Sequence, residues 1–118
     1  MFKVGKDYTI EMIDGDTGKL KINFDNYQLQ TGDKLYLSVS SAQASRSRMV
    51  QAASVYIFQE VLRIESPSTS AVITITPEDT KGKDGEYIYD VQLTTSEGYV
   101  DTIIPPSKFI IKRGVTNE

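Results

Sequence analysis

Residues 76–93 read TPEDTKGKDGEYIYDVQL, and their reading decides the fold. The second half alternates. Tyr87, Tyr89, Val91 and Leu93 fall on one side, and Ile88, Asp90, Gln92 and Thr94 on the other. A two-residue period belongs to a strand with one buried face. The first half is turn chemistry. Pro77 opens a helical turn, Glu78 and Asp79 follow near its positive end, and Thr76 stands at the cap position, with Thr80 closing the motif. Gly82 and Gly85 lead into the strand. Upstream, Ile73 and Ile75 alternate with Thr74 and Thr76 as a preceding strand. The acids therefore sit at a corner where the chain crosses from one sheet to another.

The same period recurs outward. Tyr8, Ile10 and Met12 alternate with Thr9 and Glu11, and Leu20, Ile22 and Phe24 with Lys19, Lys21 and Asn23. Between them DGDTG, residues 14–18, is turn sequence, so the two runs read as a hairpin. After the turn Thr31-Gly32-Asp33, Leu35, Leu37 and Val39 alternate with Tyr36, Ser38 and Ser40. Strand character returns over 55–64 (VYIFQEVLRI), and ESPSTS at 65–70 is a turn. Tyr99 to Ile104 is a further strand after the Ser96-Glu97-Gly98 turn. Pro105-Pro106 ends it, because proline donates nothing to a ladder. Phe109 and Ile111 alternate with Lys108 and Lys112 in a closing strand. Residues 41–54 (SAQASRSRMVQAAS) leave three forms open: a long loop, a short helix or an irregular edge strand. About seven or eight short strands without a long amphipathic helix predict an all-β, antiparallel β-sandwich, with a barrel as the alternative. One domain spans residues 1–118.

Composition excludes several functions. The chain has 118 residues, 39% of them hydrophobic, and a net charge of −3. A nucleic-acid backbone needs a concentrated basic face, and Arg46 with Arg48 is too small a pair to make one. There is no cysteine and no histidine. Thiolate metal sites, disulfides and every Ser-His or Cys-His nucleophile are thereby ruled out within this chain. No run approaches the ~20 apolar residues of a membrane span, and the N-terminal residues lack a signal-peptide core. Synthesis in the cytoplasm is expected.

For Pro77, Glu78, Asp79 and Thr80 a structural corner is the first reading. A calcium site is the second, since carboxylates suit that ion. A catalytic carboxylate pair needs two acids across a cleft, which nothing here suggests. Asp14-x-Asp16 imitates the start of a calcium loop, but Gly18 and Lys19 occupy the wrong positions and no bidentate Glu follows. Tyr36 and Ile88 face away from the inferred core and are candidates for a sugar platform, with a second packed layer or a subunit contact as the more common use of such residues. No catalytic residue, metal ligand or cofactor is expected.

In immunoglobulin-type sandwiches, a tyrosine near the start of the penultimate strand bonds back to upstream backbone. Tyr87, two residues before Tyr89, holds the comparable place. The bridging cysteine and core tryptophan of antibody domains are missing. Residues 73–116 resemble the immunoglobulin-like domains of phage tail and baseplate proteins of Gram-positive hosts, the N-terminal domain of the baseplate upper protein among them. The likeness rests on the isoleucine strand into Pro77-Glu78-Asp79-Thr80, on Gly85-x-Tyr87-x-Tyr89-Asp90, on Gln92-Leu93, on the Glu97-Gly98 hairpin and on Lys108-Phe109-Ile110-Ile111. GDTGKLKINF and LYLSV agree in the front half. The resemblance implies an immunoglobulin-like sandwich and a non-enzymatic structural module of a virion. Its partners would be other tail or baseplate proteins, or copies of itself. A cell-surface adhesion or carbohydrate-binding sandwich is the alternative.

Overall fold

The computed structural model describes residues 2–41 and 56–114. These form β1 (Lys3–Val4), β2 (Ile10–Ile13), β3 (Gly18–Asn23), β4 (Lys34–Ser41), β5 (Tyr56–Arg63), β6 (Ser70–Ile75), a helical turn α1 (Pro77–Thr80), β7 (Gly85–Thr94) and β8 (Val100–Lys112). The described residues are all-β apart from that turn. One sheet has six strands in the order β1-β2-β8-β7-β4-β5, and the other pairs β3 with β6. The undecided stretch 41–54 lies outside the described residues except for Ser41, the last residue of β4.

Alternation places the core. Leu35, Leu37 and Val39 of β4, Tyr89, Val91 and Leu93 of β7, and Phe109 and Ile111 of β8 are buried. They meet Leu20 and Ile22 of β3 and Ala71, Ile73 and Ile75 of β6 in one cluster between the sheets. Cross-strand register keeps each set together, with Leu35 opposite Leu93, Leu37 opposite Val91 and Leu20 opposite Ile73. A slip of one residue would turn each set to solvent. Two-residue periodicity therefore identified the buried faces of β3, β4, β6 and β7 from sequence.

Three sequence expectations need correction. The pairing is not antiparallel throughout, because β2 runs parallel to β8, with Ile10 opposite Phe109 and Met12 opposite Ile111. DGDTG is not a hairpin turn. β2 belongs to the six-stranded sheet and β3 to the two-stranded one, so DGDTG is itself a crossing between layers. Nor do Pro105 and Pro106 end a strand. β8 runs through them from Val100 to Lys112. Tyr89 lies opposite Ser107 and Val91 opposite Ile104, so the two prolines face Asp90 alone across a β-bulge. A bulge leaves one residue outside the ladder, which suits residues with no N–H to give.

Candidate functional site

The acidic corner is built as a cap. Asp79 closes the turn by accepting the Thr76 N–H at 2.9 Å, while its own N–H donates to the Thr76 carbonyl at 3.0 Å. Pro77 begins the turn and its carbonyl takes the Lys81 N–H at 3.0 Å. The chain leaves through Gly82 (φ 73°) and Gly85 (φ 147°), backbone values that a side chain would strain. Glu78 is exposed and contributes only its charge at the N-terminal end. Tyr87 donates its hydroxyl to the Lys83 carbonyl at 2.7 Å, back across the loop it follows. The crossing is thus pinned by the tyrosine that sequence singled out.

Tyr89 lies deeper. Its ring is buried and packs edge-on against Phe109, which packs edge-on against Phe58. Its hydroxyl donates to the carbonyl of Tyr8. Tyr8 has φ 68°, a left-handed conformation disfavoured without a reason, and the Tyr89 bond helps to hold it there. Burial pushes the Tyr89 phenol well above its ordinary range.

The acidic corner and DGDTG, distant in sequence, form one hydrogen-bonded knot. Thr80 is fully buried, and its hydroxyl accepts the Gly15 N–H at 2.9 Å. Asp14 is buried as well. One carboxylate oxygen accepts the Gly114 N–H at 2.8 Å and the other the Gly82 N–H at 3.3 Å. The Asp14 N–H donates to the Lys112 carbonyl at 2.8 Å. Both layer crossings and the end of β8 are therefore tied at one pole of β7. Asp33 makes a second knot at the other pole. It accepts from Gln30 N–H (2.9 Å), Tyr27 O–H (2.7 Å) and Ser96 N–H (3.1 Å). Its backbone carbonyl also takes the Ile64 N–H at 2.8 Å.

A carboxyl pair joins α1 to the sheet. Glu60 stands on β5 opposite Leu37, at the rim of the inner face. A hydrogen bond to Asp79, then burial, then the Asp79 charge push Glu60 up to about 7. Lys83 Nζ donates to the Asp79 carbonyl at 3.0 Å and the Ile57 carbonyl at 3.3 Å, strapping the same corner to β5. Sequence named Asp79 but missed Glu60, and it weighed Asp14 only as part of a turn or a calcium-loop mimic. The partners of both are remote along the chain.

Asp14, Asp33 and Asp79 are occupied in holding backbone N–H groups. Among the described residues, no group of three carboxylates converges on a point where a metal would sit. The outer face of the six-stranded sheet is different. Tyr36 and Ile88 both lie on it, but only Tyr36 lines its shallow groove of ≈ 230 Å³, together with Ser38, Tyr56, Gln59, Asp90 and Gln92. No protein-family model matches the chain, and no curated protein matches it.

Proposed function

We propose that this chain is an immunoglobulin-like β-sandwich acting as a non-enzymatic interaction module, a tail or baseplate component of a phage or prophage that assembles through protein contacts. The observation that carries the reading is the strand order. β2 lies parallel to β8, followed by antiparallel β7, β4 and β5, against a second layer of β3 and β6. Tyr87 at the crossing into β7 adds to it, because immunoglobulin-type sandwiches secure this corner in the same way. The carboxylates at both poles accept backbone N–H groups, a structural employment that suits a scaffold. Among the described residues, several stretches of sheet edge have no strand paired to them and could take a neighbour. The test is mass spectrometry of purified particles after induction of the source strain. The chain is expected at a level stoichiometric with tail proteins. Abundance in the lysate with absence from the particles would overturn the proposal.

A further inference from the structure

The outer face of the six-stranded sheet carries an unmatched charge. Ser38, on β4, lies between Gln59 of β5 and Asp90 of β7. Its side chain is short, so it floors a depression. Tyr36 stands two residues before it, and Tyr56, opposite Ser40, stands beyond it. Gln59 Nε2 donates to Ser38 Oγ at 2.8 Å, which fixes one wall. Asp90 forms the other, and among the described residues no donor reaches its carboxylate. The register explains why. Across from Asp90 on β8 stands the Pro105-Pro106 bulge, which has no N–H to offer. Its neighbours on β4 and β7 are Ser38, Tyr36, Gln92 and Ile88, none of them cationic. On β8 Lys108, opposite Ile88, shares the outer face, but it is exposed, and burial alone, without any opposing charge, shifts Asp90.

We propose that this groove is the seat for a cationic side chain, an arginine or lysine, presented by a partner protein. Charge decides between occupants. A half-buried carboxylate without a partner is costly, and an opposite charge relieves it. Burial raises the pKa of Asp90 with nothing to oppose it, the condition that an arriving cation reverses. Tyrosine faces attract a cation too, and Gln59 and Gln92 offer carbonyl acceptors to the remaining N–H groups. A neutral saccharide would use the tyrosines and amides but leave the charge uncompensated. The proposal rests on the reading of the chain as a protein-interaction module and names the chemistry of one contact.

The test is an NMR titration of the Asp90 carboxyl carbon in the full chain. In the free protein Asp90 should titrate above 3.8. N-acetyl-arginine amide should then give saturable shifts at Tyr36, Tyr56 and Asp90, and lower the Asp90 pKa by about one pH unit. N-acetyl-glutamine amide should not saturate. Asp90→Asn should weaken the arginine response about tenfold or more while leaving the unfolding midpoint within a few degrees, as for an exposed-face substitution. Three results overturn the proposal. One is an Asp90 pKa already depressed in the free chain, which would place the cation within this chain. Another is an equal response to the glutamine amide. The third is saturation by a cello-oligosaccharide in both wild type and Asp90→Asn, which would make the groove a sugar site. Arginine binding by a chain absent from particles would support the groove and sink the tail assignment. A tail partner whose binding ignores Asp90→Asn would do the reverse.

Discussion

Asp14 shows how much one buried carboxylate can hold. It is 7% exposed and accepts N–H groups from Gly82 and Gly114, so its removal strands two donors. A buried unsatisfied donor costs about 1–3 kcal/mol. Asp14→Ala should therefore lower the unfolding free energy by about 2–3 kcal/mol in urea, with Asp14→Asn falling between it and wild type. Unchanged stability would mean that both glycines find water instead. Asp33 adds a dependence on pH. Burial alone would raise its pKa, but the bonds from Gln30, Tyr27 and Ser96 win and hold it below 3.8. A depressed carboxyl gives stability that is present above 3.8 and lost as pH falls through its folded pKa. Tyr27 is the mirror image. Its bond to Asp33, then burial, then the charges of Asp33 and Glu97 push it from 10 up to about 12. Its contribution is complete below pH 10 and disappears as pH rises through about 12. Unfolding of wild type and Asp33→Asn, compared across both ranges, should show the acid and alkaline losses in wild type alone. Parallel curves would remove Asp33 from the account.

The joints between elements follow a different logic from the elements themselves. β4, β6 and β7 were legible because their side chains obey a period of two, and burial of one face is a local property of each strand. The corner at Pro77–Thr80 was legible because its cap is local as well. The crossing at DGDTG was not. A hairpin and a layer change use the same Gly and Asp residues, and what separates them is Thr80 accepting from Gly15, 65 positions away. Pro105-Pro106 misled for a related reason. Two prolines break an even ladder, but here they occupy a bulge, and the partner β7 supplies only Asp90 opposite them. The pairing of Glu60 with Asp79 was equally invisible, since it depends on α1 folding over β5. That joint should respond to pH. Glu60 is raised from 4.5 to about 7, so the fold favours its protonated form. The stabilisation is complete below 4.5 and is lost as pH rises through about 7. Glu60→Gln should flatten the stability profile over that interval and make the protein the more stable one above neutrality. A wild-type profile already flat from pH 4.5 to 7 would show that the pair does not share a proton.

Across the whole molecule the layers are unequal, and this sets both where the stability lies and where the surface is unfinished. Strands stand about 4.8 Å apart, so a two-stranded layer cannot by itself roof a six-stranded one. Phe2 completes part of the roof. It sits so close over Gly18 that an added Cβ would come within 2.5 Å of its ring. Leu29, bridged to Ser68, and α1 help to cover the remainder. The aromatic cluster of Phe58, Tyr89 and Phe109 anchors the wide sheet beneath. Phe109→Ala should cost about 3–5 kcal/mol, a large share of the 5–15 kcal/mol typical of a domain. The edges are the other consequence. β2 pairs with β8 only over Phe109–Lys112, so the stretch Val100–Ile104 has β7 on one side and, among the described residues, no strand on the other. Tyr99 (71% exposed) and Val100 (55% exposed) stand at its start. An open edge with apolar neighbours invites another strand unless charge prevents it. If the chain works by assembly, sedimentation velocity should show concentration-dependent self-association through this edge. The double variant Tyr99→Ser, Val100→Lys should abolish it while changing stability by no more than about 0.5 kcal/mol, since both sites are exposed. A wild type that stays monomeric at high concentration would exclude a second copy as the partner at this edge. Association that survives the double variant would move the contact to the edges of β5 or of the β3–β6 layer, where Lys19 and Lys21 face outward and argue against it.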